Sequence, residues 1–238
     1  MKVALISHSF PPHRTGGIGS YTFSLAESLT KKGIDVTVFC GGKVDKELKH
    51  KFKIIRLPMF NLPPMAVWFQ LQNLKFFKKE LKKFDIVHGQ MTCTTFYSYI
   101  KKEIDKPWIV TFHDHPKRGL KAFLESPKGT KNFGDFIFNF LEYPIYKKLC
   151  DIDIKNADKI ISVGSSLLDD LVKYSKLDKK KSIVIPNSIN LEKIDNICNN
   201  TKKENHTKTR LIFFGRLFYG KGVTFLIDAM KEVIKKKE

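Results

Sequence analysis

Short apolar runs alternate with helix-length stretches through most of the chain, and this alternation limits the fold more than any other feature of the sequence. Val3–Ser7, Ile34–Phe39, Phe52–Leu57, Ile86–His88, Trp108–Phe112, Lys159–Val163 and Ile183–Ile185 read as strands. Between the first two, Tyr21, Leu25 and Leu29 follow helical spacing until Gly33 stops the helix. A chain that alternates in this way is expected to form a parallel, doubly wound, Rossmann-like α/β sheet. The polar, Asn-rich stretch 188–209 reads as a linker between a domain at 1–187 and a further unit at 210–238. That last unit opens a new strand, glycine-rich loop and helix. Independent folding takes roughly 50 residues or more. The expectation is therefore an incomplete second Rossmann-like domain, or a unit completed by another chain.

Hydrophobic residues at 42% and charged residues at 28% are a globular composition, and 238 residues suffice for a sizeable core. Lys and Arg number 43 against 24 Asp and Glu, a formal charge of +19. Such an excess suits anionic partners, and charge alone does not choose among nucleic acid, lipid headgroups and phosphorylated small molecules; lysine-rich solvated faces account for it equally well. The lysines follow no nucleic-acid recognition motif, so specific readout of nucleic acid is not expected. Cys40, Cys93, Cys150 and Cys198 lie far apart without a C-x-x-C pair, which fits reduced thiols in a cytosolic protein. The N-terminal MKVALISHSF has one charge and a short apolar run followed by two prolines, so it reads as a first strand rather than a signal peptide. No apolar stretch reaches the roughly 18 residues that span a bilayer, which points to a soluble or peripheral protein.

In a parallel α/β sheet, ligands bind beyond the carboxyl ends of the strands. The loop after the first strand reads SHSFPPHRTGGIGSY, and Gly16 and Gly17 remove side chains in front of a helix N-terminus that favours phosphate. The dinucleotide fingerprint is incomplete. Thr22 stands where the third glycine belongs, and the second strand ends Phe39-Cys40-Gly41 without an acid for a ribose, which disfavours an NAD enzyme. Near the other end, GRLFYGKG places Gly215, Gly220 and Lys221 at P-loop spacing, but Gly222 replaces the magnesium-binding Ser or Thr. Nucleotide hydrolysis is not expected, while Arg216 and Lys221 suit a diphosphate without a metal. Asp151-Ile152-Asp153 has the D-x-D form of a sugar-transferase metal site, though acids at that spacing arise often by chance. His113 and Asp114 follow the strand WIVTF at its carboxyl end, where a histidine can bond a sugar hydroxyl or shuttle a proton.

Taken together, PPHRTGGIGSYTFSLAESLTKKGIDVTVF, FDIVHGQ, VTFHD, ADKIISV, IVIPNSIN and FFGRLFYGKGVTFLIDAM resemble, in order and over nearly the whole chain, the retaining GT-B glycosyltransferases of the family-four type. The resemblance implies two facing Rossmann-like domains, with a nucleotide-sugar donor held by the C-terminal domain and an acceptor by the N-terminal one. Carried over by position, Gly16 and Gly17 approach the donor diphosphate, His113 contacts the transferred sugar, and Arg216 and Lys221 neutralise the leaving diphosphate. Fixed cations there stabilise the charge that develops on the departing phosphate, and no metal is required. Three departures stand out. Ser188 replaces the glycine of the family's PNG, Gly164 replaces a usual serine, and the family's acidic motif of two glutamates seven residues apart lies beyond the GR…KG loop and is missing from this sequence. The chain alone is therefore expected to be inactive, whether as a fragment or as one half of a split enzyme.

Met65–Phe84 places Val67, Leu71, Leu74, Phe77, Leu81 and Phe84 on one helical face, with Lys75, Lys78, Lys79 and Lys82 on another. The stripe packs on the sheet, or the helix lies on an anionic membrane and reaches a lipid-linked acceptor; both hold if Trp68, Phe69 and Phe76 stay exposed. The expected function is transfer, with retention, of a sugar to a glycan or lipid-linked acceptor at the cytoplasmic side of a membrane, as in building a cell-surface glycan or glycolipid. The alternative is a non-catalytic module that binds a membrane or a partner.

Overall fold

The computed structural model describes residues 1–13, 16–44, 46, 49–126, 133–201, 209–215, 217 and 221–236. Seven strands form one parallel sheet: β1 (Lys2–Ser7), β2 (Asp35–Gly41), β3 (Lys53–Leu57), β4 (Ile86–Gln90), β5 (Trp108–Phe112), β6 (Lys159–Ser162) and β7 (Ser182–Val184). Their order, β3-β2-β1-β4-β5-β6-β7, is the doubly wound Rossmann-like arrangement. All seven strands read within residues 1–187 are present. The winding reverses between β1 and β4, and a ligand crevice belongs beyond the carboxyl ends of those two strands.

Successive side chains of a strand face opposite ways, so each face of the sheet needs its own apolar cover. On one face, Val3 and Leu5 of β1 and Val36 and Val38 of β2 join Phe10, Phe52 and Ala26 of helix α1 (Gly17–Lys31). On the other, Ala4, Ile6, Val87, Val110 and Phe112 meet helices α2 (Met65–Glu80), α3 (Tyr97–Ile104), α6 (Tyr143–Asn156) and α7 (Ser165–Ser175). Trp108, fully buried, donates from Nε1 to Thr94 Oγ1 at 3.0 Å. Gly89 is fixed by the same close approach, because a Cβ there would collide with the Thr94 side chain.

The buried stripe of α2 differs from the expected one. Ala66, Phe69, Gln70, Asn73 and Phe77 face inward, Leu71 is 50% exposed, and Phe76 packs partly buried against the core. Two of the inward residues are polar because they serve backbone groups. Asn73 Nδ2 donates to Pro58 O at 2.9 Å, and Gln70 bonds the turn after β4. Phe69 is therefore not available to a membrane, contrary to the condition set above.

Residues 1–115 and 144–189 make up one compact unit, and 116–143 with 190–238 make up the other. The second unit contains α4 (Pro116–Glu125), α5 (Phe133–Ile137), a π-helical stretch Phe138–Glu142, α8 (Leu191–Asn200) and α9 (Val223–Lys235). Phe123, Phe136 and Phe140 form an aromatic cluster, with Phe123 edge-on to Phe136 at 5.1 Å. The stretch read as a linker thus carries a helix, α8, whose Leu191, Ile194 and Ile197 recur at helical spacing. Residues 211–214, read as a strand, form none. A strand is held by its ladder, and Ile212 and Phe214, 82% and 99% exposed, pair with no strand among the described residues. No helix among the described residues is long and apolar enough to cross a membrane.

Candidate active site

The carboxyl ends of β1, β4 and β5 carry a polar cluster. On β4, His88 and Gln90 share the sheet face covered by α1. The register pairs Gln90 with Thr111 of β5 and His88 with Ile109. Hydrogen bonds run one step diagonally from that register. His88 Nε2 pairs with Thr111 Oγ1 at 2.7 Å, and Gln90 Oε1 pairs with His113 Nε2 at 3.0 Å. Two rungs of the same diagonal thus climb toward the mouth of the sheet. Tyr21, on α1, shares a hydrogen bond with the Thr111 side chain and meets the His113 ring edge-on at 4.6 Å between centroids.

Burial makes the site electrically neutral. It pushes His88 down to about 4, with the neighbouring His113 adding to the effect, and it pushes His113 itself to about 4. Both imidazoles are uncharged at pH 7. Burial likewise raises the Tyr21 phenol above its ordinary value, against the opposing bond from Thr111.

The loop between β1 and α1 is pinned from below. Arg56 of β3 donates from Nη2 to Pro11 O at 2.6 Å and lies over the Phe10 ring at 5.5 Å. Gly16 caps α1 without a side-chain hydrogen bond, and the first turn holds no acidic residue. The leading N–H groups of a helix have no intrahelical partners and attract anions. A Cβ at Gly16 or Gly17 would meet nothing within 4 Å, and neither residue adopts the left-handed conformation. Packing within the chain therefore does not require glycine at either position. Tyr21 follows Gly17 by one helical turn, and its ring contacts His113.

Of the other residues singled out from the sequence, Lys221 is exposed immediately before the Gly222 cap of α9, in the second unit. Arg216 lies outside the described residues. The D-x-D pair is inside α6. Asp151 pairs with Lys147 at 2.6 Å, while Asp153 is fully buried and pushed well above the usual carboxylate range by that burial. The two carboxyl groups do not present a shared metal site. No cluster of three or more His, Cys, Asp or Glu fit to hold a metal occurs among the described residues.

Four positions in and beneath the cluster escaped the sequence reading. Gln90 and His88 acquire their partners only from the strand pairing. Gln70 clamps the turn after β4 by donating to Thr92 O at 2.9 Å and accepting from Phe96 N at 2.7 Å. His8, at the end of β1, pairs through Nδ1 with Cys93 Sγ at 2.9 Å. Burial pushes the Cys93 thiol up to about 12, so it acts as a neutral partner of His8 and not as a nucleophile.

The Glycosyltransferase Family 4 model matches residues 15–193, which include α1, β4, β5 and the cluster between them. The chain belongs to Glycosyltransferase Family 4. It is 24% and 25% identical to two uncharacterized glycosyltransferases of Methanocaldococcus jannaschii, over 99% of its own length and 60% of theirs. The chain thus spans less than two thirds of these family members. Among solved structures, it superposes on sucrose-phosphate synthase from Thermosynechococcus elongatus with a TM-score of 0.56 at 18% identity, covering 80% of this chain and 49% of that one. On Anabaena HepE, solved with UDP and glucose, the TM-score is 0.54 at 14% identity, covering 81% and 46%. These likenesses place the family-four chain in the GT-B fold.

Proposed function

We propose that the chain is the acceptor-side part of a retaining glycosyltransferase that moves a hexose from a nucleotide-sugar donor to a glycan or a lipid-linked acceptor. The observation that carries this reading is the neutral Tyr21, Gln90 and His113 cluster at the switch point of a family-four domain, one helical turn from an open glycine pair at a helix N-terminus. In this role His113 bonds the transferred sugar, and Gly16 and Gly17 leave room for the diphosphate. Arg216 and Lys221 offset its charge as it departs. No metal is needed for that stabilisation. HepE, solved with UDP and glucose, supports a uridine nucleotide as the first donor to try.

The test uses the full-length protein, because the chain spans 60% of the length of its two curated relatives. Release of nucleoside diphosphate from a panel of nucleotide sugars should depend on an acceptor and should fall by about a hundredfold or more in His113→Ala, the loss typical for a positioned polar catalytic group. Acceptor-dependent release that His113→Ala leaves intact would remove His113 from the mechanism. No release with any donor would favour the binding-module reading.

A lipid-borne acceptor is favoured by a specific surface. Phe60 at 58%, Leu62 at 63% and Leu71 at 50% exposure stand at and near the start of α2, whose exposed Lys75, Lys78 and Lys79 would meet anionic headgroups. In this reading the protein works peripherally at the cytoplasmic membrane face. Co-sedimentation with phosphatidylglycerol vesicles but not phosphatidylcholine vesicles is expected, and equal recovery with both would refute it.

A further inference from the structure

The turn that leaves β4 holds His113 twice. Met91 adopts a left-handed conformation, φ 51°, which is uncommon for a residue with a side chain. From that position its Sδ accepts the His113 backbone N–H at 3.1 Å. The preceding residue, Gln90, is fully buried and meets the His113 ring through Oε1. The other end of the same amide, Nε2, is buried without a hydrogen-bond partner. Leaving a buried donor unpaired is unfavourable, and an apolar side chain at the end of a central strand would avoid that penalty. A polar group retained against stability, beside a strained backbone residue, points to a task.

We infer that Gln90 is the positioning residue that sets the tautomer of His113. Its amide oxygen can only accept, so the ring nitrogen it meets, Nε2, carries the proton, and Nδ1 presents a lone pair. No described residue pairs with Nδ1. The ring is therefore an acceptor for a hydroxyl that donates. The Tyr21 ring against one edge and the Met91 sulfur on the backbone hold its plane and place. His88, the other imidazole of the cluster, is occupied by Thr111, and the Tyr21 phenol also bonds Thr111, so neither competes for Gln90. This inference rests on the proposed function only for the identity of the hydroxyl, which is then one on the transferred sugar. A sugar deoxygenated at that carbon, or one in which the hydroxyl is a methyl ether, loses the bond.

The test is nitrogen-15 NMR of the histidine side chains in the full chain at pH 7, comparing wild type with Gln90→Leu and Gln90→Glu. Wild type should show His113 protonated on Nε2. Gln90→Leu removes the acceptor, and the ratio of the two tautomers should shift by about fivefold toward Nδ1–H. Gln90→Glu keeps the acceptor and adds a charge, so Nε2–H should persist while the His113 titration midpoint rises by about one pH unit or more. A wild-type ring protonated on Nδ1 would overturn the assignment, since the amide would then be donating through its nitrogen. So would a tautomer ratio in Gln90→Leu that matches wild type, and a midpoint unmoved in Gln90→Glu would do the same for that near-isosteric variant. If the NMR result holds and the full-length enzyme transfers no sugar, the positioning role stands and the glycosyl-transfer reading falls.

Discussion

His88 should make this fold sensitive to acid in a way that one substitution removes. It is only 7% exposed, and burial carries its pKa from 6.5 to about 4. Between those values the unfolded chain binds a proton that the folded chain refuses, so stability is full above pH 6.5 and declines as the pH falls toward 4. At about 1.4 kcal/mol for each pH step, the loss attributable to His88 by pH 4 is about 3 kcal/mol. Against a total of roughly 5–15 kcal/mol for a domain, that is a large share. His88→Gln keeps an amide able to bond Thr111 Oγ1 and cannot titrate. Urea unfolding from pH 7 to pH 4 should therefore show a decline about 3 kcal/mol steeper in wild type than in His88→Gln, with the divergence starting near pH 6.5. Parallel curves would mean that the folded imidazole accepts its proton as readily as the unfolded one, and the neutral site described above would be wrong. A divergence of the opposite sign would place a hydrogen-bonded imidazolium at position 88.

Gly17→Ala puts a methyl group into open space at the first turn of α1, where alanine is also the better helix former, so the melting temperature should hold or rise while nucleotide-sugar use by the full-length enzyme falls. A drop in melting temperature, or unchanged donor use, would remove the glycine pair from the donor site. Gln70→Leu should destabilise by about 1–3 kcal/mol, measured by urea unfolding, because it leaves the Phe96 N–H without its side-chain partner and the Thr92 carbonyl with only that of Thr95; a neutral result would show that the turn after β4 holds itself. In native protein near pH 8, a thiol reagent should modify Cys198, which is exposed, and spare Cys40, Cys93 and Cys150, which are buried, with burial pushing the last two up to about 12. Equal labelling of all four would show that the sheet opens on the time scale of the reaction.

The strands were legible because burial on both faces turns each into a short unbroken apolar run, and β1, β2 and β5 needed no other information. Gly16, Gly17 and His113 were legible for a related reason, since their place after a strand implies the crevice side of the sheet. Gln90 was not. It ends β4 two residues past the apolar run, and its meaning comes from a partner 23 residues away, just after β5. The expected stripe on Met65–Phe84 packs in the core at Leu74, Phe77, Leu81 and Phe84, but it omits Gln70 and Asn73, which are buried as hydrogen-bond donors, a role that hydrophobic periodicity reads as surface. Arg56 gives no signal of its role in sequence, since the carbonyls it fixes lie on the loop 45 and 46 residues before it. Residues 211–214 have the apolar content of a strand but no ladder to join, and composition does not reveal whether a partner is at hand.

The depressed basicity of His113 fits the chemistry proposed for it. Glycosyl transfer with retention places developing positive charge on the sugar ring. A protonated imidazole about 5 Å from a full positive charge would oppose it by roughly 3 kcal/mol at an effective dielectric near 20, which is more than a hundredfold in rate. A neutral ring avoids that repulsion and still accepts a hydrogen bond. The same burial that makes the site acid-sensitive therefore keeps it suited to a cationic transition state, and Gln90, uncharged, orients the ring without raising its affinity for a proton. A carboxylate at position 90 would orient the ring equally well while drawing the proton onto it. In the full-length enzyme Gln90→Glu is accordingly expected to lower kcat, with little change in KM, as the pH falls through the raised midpoint of His113, and to leave it near wild type well above that midpoint. A kcat equal to that of wild type in Gln90→Glu, with the imidazole shown to be protonated, would refute the claim that neutrality at this position matters for transfer.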